Sequence, residues 1–279
     1  MPITKAIITS ASPAQARLPL QSVVDRGGQV RTALELILQE IISAGIDKVA
    51  IVICPGTADR YLLAAGEHAE RISFFEQPQP RGYGDAMLRA RGFAPDEPFL
   101  HLVSDHLYVT KNSRSCAAQL IAIAEREQCA VSAIQPTREN LLAYFGAVGG
   151  VPVPRHSGLY EVNTVLEKPT PTTAEQHLVV AGQRAGHYLC LFGMHVLMPT
   201  IFDHLDRSVG QLGEGEIANL SSSLDSLAQS ERYLAAQLEG ERYNIGEKYG
   251  LLVAQLAIAL AGDDRDRILT ELVELLAKR

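Results

Sequence analysis

The stretch Glu76-Gln77-Pro78-Gln79-Pro80-Arg81-Gly82-Tyr83-Gly84-Asp85-Ala86 has the composition of a nucleotide site, and the apolar run Phe99 to Ser104 after it stops at a carboxylate, Asp105. Gly82 and Gly84, after Gln77, let backbone groups approach a flat base with no Cβ in the way. A carboxylate at the carboxyl end of a buried strand lies where open α/β sheets bind ligands, and it is a natural Mg²⁺ ligand. Plainer readings stand beside these. Gly82 and Gly84 could form an ordinary tight turn, and Asp105 could cap a following helix. His101, His106 and His195 lack metal-ligand spacing and read as packing or surface positions.

Such a site needs rigid elements to hold it. Lys5 to Thr9, Lys48 to Cys54, Ile72 to Phe75, Phe99 to Ser104 and Ala130 to Ile134 read as strands. Between the first two, Leu34, Ile37, Leu38, Ile41 and Ile42 recur at helical spacing, with Gly45 as the stop. Further helices are expected over Asp85 to Arg91 and Ser113 to Glu127. Strand and helix in alternation imply crossovers, hence a largely parallel sheet covered on both faces. From Gly146 to Lys168 short β-prone runs predict an antiparallel extension, and Pro169 to Gln183, rich in Thr and Pro, predicts a loop. Glu247 to Ala261 and Asp264 to Ala277 read as two closing helices.

The chain has 279 residues, 47% hydrophobic, enough to bury a substantial core, and its net charge of -7 without a basic run argues against nucleic acid. No signal-peptide pattern and no apolar run of membrane-spanning length is visible, so a cytoplasmic protein is expected. Cys54, Cys116, Cys129 and Cys190 lie far apart and read as reduced core residues.

Seven motifs in order resemble the bacterial UTP–glucose-1-phosphate uridylyltransferases, within the sugar-phosphate nucleotidyltransferases. They are the Gln77, Gly82 and Gly84 segment, Asp105, Tyr144-Phe145-Gly146-Ala147-Val148, Glu167-Lys168-Pro169, Phe192-Gly193-Met194-His195-Val196-Leu197, Gly215-Glu216-Ile217-Ala218-Asn219-Leu220 and Tyr243-Asn244-Ile245-Gly246-Glu247-Lys248-Tyr249-Gly250. The resemblance implies an α/β three-layer sandwich with a mixed, mainly parallel central sheet, of the nucleotide-diphospho-sugar transferase type. It implies a single domain, 1–279, with a nucleotide half (1–140), a sugar half (141–246) and C-terminal helices (247–279). It further implies uracil recognition by Gln77, Gly82 and Gly84, and Mg²⁺ on Asp105 and Asn244. The sugar phosphate would meet Gly146, Glu167, Lys168, Gly193, Glu216 and Lys248. UTP or a UDP-sugar and a sugar 1-phosphate are the expected partners, with no nucleic acid and no membrane; a homo-oligomer is left open.

Two departures accompany it. The family's glycine-rich phosphate loop is replaced by Ser10-Ala11-Ser12-Pro13-Ala14-Gln15-Ala16-Arg17, which leaves Arg17 and, further on, Arg26 as the triphosphate cations. Asn244 stands where the family has a second metal-binding aspartate. Uridylyl transfer has an anionic nucleophile and needs no strong base. It needs charge neutralisation and in-line positioning, for which Arg17, Arg26 and Lys168 are the catalytic candidates. A homologue that binds a UDP-sugar with impaired turnover, and an enzyme for another base or sugar, are the alternatives.

Overall fold

A computed structural model describes residues 2–213 and 215–278. Met1 and Arg279, the two ends of the expected single domain, lie outside the described residues, as does Glu214. In chain order the first elements are β1 (Lys5–Ser10), β2 (Ser22–Val24), β3 (Val30–Thr32), α1 (Ala33–Ile42), β4 (Lys48–Ile53), α2 (Ala58–Ala65), β5 (Ile72–Glu76), α3 (Tyr83–Arg89), β6 (Phe99–Val103), β7 (His106–Thr110), α4 (Cys116–Glu127) and β8 (Ala130–Arg138). There follow β9 (Ala147–Pro152), β10 (Leu159–Leu166), α5 (Pro171–His177), β11 (His187–Leu197), α6 (Ile201–Gly210), α7 (Leu220–Ser230), β12 (Tyr233–Gln237), β13 (Gly240–Asn244), α8 (Gly250–Leu260) and α9 (Arg265–Ala277).

Among the described residues one nine-stranded sheet runs in the order β5-β4-β1-β6-β11-β8-β12-β10-β9. β5, β4, β1 and β6 are mutually parallel, as are β8 and β12, while β11 and β10 run against their neighbours. Along β1 the side chains alternate: Ala6 and Ile8 face a core with Leu34, Leu38, Tyr61, Leu120 and Ile258, and Ile7 faces another with Met87, Phe202, Leu205 and Leu224. Helices α1, α2, α4 and α8 thus cover one face and α3, α6 and α7 the other. The strands read as unbroken apolar runs because neither face meets water.

Local signals fix the helix starts. Thr32 and Glu35 form a reciprocal capping box on α1, with the Glu35 N–H on Thr32 Oγ1 at 3.0 Å and the Thr32 N–H on Glu35 Oε2 at 2.7 Å. The segment Pro169 to Gln183 departs from the expected loop, because it contains α5. Thr170 Oγ1 accepts the Thr173 N–H at 3.2 Å and Pro171 occupies the first turn, a start signal that outweighs the Thr and Pro content. Among the described residues no helix is long and apolar enough to cross a membrane.

The α1–α4 contact is polar. Glu40 Oε1 accepts the Ala117 N–H at 2.7 Å and so caps α4. Burial pushes the Glu40 carboxyl up to about 7, against the opposing pull of the Ala117 and Cys116 N–H groups and the Arg26 charge. A raised folded-state value means that the folded protein holds this proton where the unfolded chain has lost it. Stability from this group therefore falls as pH rises from about 4.5 to about 7. Glu40→Gln keeps the accepting oxygen and removes the charge. Denaturant melts at pH 5 and pH 8 should show the variant gaining about 2–3 kcal/mol relative to wild type between the two pH values.

Candidate active site

The carboxyl ends of β1 and β6 open into a cleft of about 690 Å³. Its walls include Gln77 and Gly82 on one side, Asp105 and Asn244 in the middle, and Gly146, Glu167, Lys168, Gly193 and Lys248 on the other. These nine sequence-derived candidates are therefore neighbours.

On the base side, Gln77 is buried, and its Nε2 donates to Gly82 O at 3.0 Å and to Asp85 Oδ2 at 2.8 Å. Gly82 has φ +98°, and a Cβ there would stand 2.4 Å from Ala218 O, so only glycine allows this crossing. Gly84 is spent on packing. It is buried beneath the wall, its N–H on Ala218 O at 3.0 Å, and it does not line the cleft.

In the middle, Asp105 is followed by the strand β7, which removes the helix-cap reading. Its Oδ1 meets His106 Nδ1 at 2.7 Å and its Oδ2 accepts Gln15 Nε2 at 2.9 Å. Burial would raise this carboxyl, yet the charge and hydrogen bond of His106, with the Gln15 amide, carry it below its ordinary value. The main-chain O of Asp105 accepts the Ile245 N–H at 2.8 Å, which ties the Asn244 turn to it, and Asn244 Oδ1 accepts the Gly246 N–H at 2.8 Å. Among the described residues no group of three or more His, Cys, Asp and Glu is arranged to hold a metal ion.

On the far side, Glu167 Oε2 accepts Ser221 Oγ at 2.6 Å. A Cβ on Gly146 would lie 2.8 Å from Ser221 Oγ and 3.3 Å from Glu167 Oε2, so its backbone lies directly against this pair. Lys168 takes φ +43°, a left-handed conformation that costs a non-glycine residue about 1–3 kcal/mol and collects at functional sites. Its Nζ lies 3.9 Å from Glu167 Oε1.

Besides Gly84, three expectations are not met by position. Arg17 is exposed and absent from the cleft wall. Arg26 turns away, because its Nη2 donates to Thr110 O at 3.0 Å and it lines a separate depression of about 310 Å³ beside Glu40. Glu216 is exposed outside the wall, its Oε2 accepting the Gly213 N–H at 2.9 Å, while Ile217, Ala218 and Asn219 line the cleft in its place. The loop from Ser10 does reach the cleft. Ser12 O takes the N–H groups of Gln15 and Ala16, at 3.0 and 2.8 Å, so these are turned away from any phosphate.

His101 and His195, expected as packing or surface positions, are packing positions, whereas Ser132, Tyr233 and Arg242 are not singled out by the sequence reading. His101 and His195 are directly paired across β6 and β11, both fully inside, and Ser132 Oγ bridges His195 Nδ1 and Tyr233 OH at 2.5 Å each. Burial keeps them neutral, pushing His195 down to about 3 and His101 well below its usual value. The Tyr83 hydroxyl, in the cleft wall, lies 3.3 Å from His101 Nδ1. Arg242 is 6% exposed; its Nε donates to Leu191 O at 3.0 Å and its guanidinium lies 3.6 Å from the Phe145 ring centroid. Burial lowers it to about 10. Leu191 begins the register shift of β11, and Tyr108 OH donates to Gly193 O within it at 3.0 Å, so the β7–β13 ribbon holds both irregular carbonyls. Only the adjacency of His106 to Asp105 was a usable signal; Arg242 reads as an ordinary strand arginine.

The family model described as Nucleotidyl transferase matches residues 23–259. The chain is 27% identical over 288 residues to UTP–glucose-1-phosphate uridylyltransferase 1 of Streptococcus pyogenes serotype M3, covering 93% of this chain and 84% of that protein. It is 26% identical over 284 residues to the Streptococcus pneumoniae serotype 4 UTP–glucose-1-phosphate uridylyltransferase, with 93% and 86% covered. A UDP-glucose pyrophosphorylase solved with UDP-glucose superposes with TM-score 0.76 at 22% identity over 92% of this chain and 98% of that one. A UTP-bound UGPase from Acinetobacter baumannii gives 0.74 at 21% over 98% and 99%. The mixed α/β sandwich is the fold of these structures.

The close contact at Gly146 can be tested by a double-mutant cycle. Gly146→Ala should cost about 1–2 kcal/mol of stability by overpacking. Combining it with Ser221→Ala should recover at least about 0.5 kcal/mol of that cost, a non-additivity read from denaturant melts.

Proposed function

This chain belongs to the nucleotidyl transferase family, and from that premise we propose that it joins UTP and glucose 1-phosphate to give UDP-glucose and pyrophosphate. The observation that carries the reading is the single cleft in which Gln77 and Gly82, Asp105, and Glu167 with Lys168 succeed one another. In the reaction a phosphate oxygen of the sugar phosphate bonds to the α-phosphorus, the bond from that phosphorus to the bridging oxygen breaks, and the electron pair leaves on pyrophosphate. The nucleophile arrives ionised, so the protein supplies position and charge.

In this reading Gln77 and Gly82 hold the base, and Glu167, fixed by Ser221, receives sugar hydroxyls. Lys168 and Lys248 are the cations in the cleft wall that would meet the phosphates. Arg17 and Arg26 have no support from their positions for this role. Asp105 is a charged carboxylate at the centre of the cleft, and Mg²⁺ is commonly held by one or two carboxylates with substrate phosphates and water supplying the rest. The donor set suits that ion, and Asp105 and the Asn244 amide oxygen would be its protein ligands. When bound, Mg²⁺ neutralises phosphate charge.

The N-terminal turn favours a second reading, a UDP-sugar-binding homologue with slow turnover, since Ser12 O occupies loop N–H groups and Asn244 adds no charge. A coupled pyrophosphate-release assay separates the two. Under the first reading UTP, glucose 1-phosphate and Mg²⁺ give steady release, reduced about a hundredfold in Asp105→Asn when assayed at a temperature where the variant is still folded. UDP-glucose binding by calorimetry without any release establishes the second. Asn244→Asp should lower the half-saturating Mg²⁺ about tenfold, because ligand charge count sets affinity for a hard cation. The gain in rate should vanish at saturating Mg²⁺.

A further inference from the structure

The Gln77 amide has one end with two protons to give and one that only accepts. Gly82 O and Asp85 Oδ2, at 3.0 and 2.8 Å, flank one end. Neither has a proton to offer. That end must be the NH₂, and both of its hydrogens are used; the reverse orientation would set an amide oxygen against a carbonyl and a carboxylate. Asp85 is 2% exposed and is held from behind by Arg89, one helical turn on, whose Nη2 donates to Oδ1 at 2.7 Å. The remaining group, Gln77 Oε1, makes no hydrogen bond among the described residues, and Gln77 lines the cleft.

We propose that Asp85 is a specificity-determining positioning residue, which locks Gln77 so that it presents only an acceptor and thereby demands a ring N–H from the base. Uracil carries that hydrogen at N3. Cytosine in the same place sets a lone pair against Oε1, and an N3-methyl group blocks the contact. The Arg89–Asp85–Gln77 relay is thus a chain of enforced polarity: a guanidinium that can only donate fixes a carboxylate that can only accept, which fixes the amide. In Asp85→Asn the new oxygen turns to Arg89 and the new NH₂ meets Gln77, which removes the preference for one amide orientation.

The inference rests on the nucleotide reading of the cleft, and the test separates the two. Calorimetry with UDP, CDP and N3-methyl-UDP on the wild-type protein should show UDP bound at least about thirtyfold more tightly than the other two, in line with what a polar site exacts from an unmatched ligand. Asp85→Asn should lose about tenfold in UDP affinity with CDP unchanged or improved, so that the ratio collapses. A purely structural loosening would weaken both and leave the ratio intact. Arg89→Met, which touches neither Gln77 nor the cleft, should narrow the same ratio, and the wild-type ligand series decides the matter should Asp85→Asn fail to fold. Equal binding of UDP and CDP, tight binding of N3-methyl-UDP, or an intact ratio in a folded Asp85→Asn overturns the proposal while the nucleotide reading stands. Binding of none of the three overturns both.

Discussion

A sheet that is covered by helices on both faces has no wet side on which to keep a charge. Every β1 residue from Ala6 to Ser10 is buried, and β4 is buried from Val49 to Ile53. Polar groups are therefore confined to the rim, where strands end and the backbone turns into loops. The candidate residues obey this: Gln77 follows β5, Asp105 follows β6, Glu167 follows β10 and Asn244 ends β13. Because the parallel strands share a direction, the ends of β1, β5 and β6 gather on one edge, and residues distant in sequence become walls of one cleft.

The exception is the polar row inside the sheet. His101, His195 and Ser132 lie side by side on β6, β11 and β8, and the row ends at Tyr233 of β12. A buried polar group is costly unless bonded. Here the neutral histidines are held by hydroxyls, and the row runs from beneath Tyr83 in the cleft wall toward the far strands. Such a network resists rearrangement, since moving one member strands the next. Arg242 does the complementary task at the cleft, by fastening Leu191 O and the Phe145 ring together.

The strands were legible because double-sided burial writes an apolar run, and Asp105 was legible because a carboxylate closes one. The α5 segment has the composition of a loop, and it is helical because Thr170 and Pro171 stand in the positions of a start signal. Arg26 and Glu216 failed for another reason: motif order says which segment is near the cleft, not which way a side chain turns. Thr110 O and Gly213 N–H, the partners that turn them, lie outside the motifs. Asp85 was invisible because its role exists only through Gln77, eight positions earlier and brought back by the Gly82 turn.

The strand order also sets a schedule. β6 and β8 both pair with β11, and β8 also waits for β12. On a ribosome adding about 5–20 residues each second, roughly 4–18 s separate the emergence of β6 from that of β11. For that interval the growing chain carries a four-stranded parallel piece with an open apolar edge, the kind of surface that invites pairing with the wrong chain. Lys111 and Arg114 with Glu125, Arg126 and Glu127 put charge on the helix and turns that follow β6 and lead to β8. The yield of this protein on synthesis is thus tied to how quickly its second half arrives.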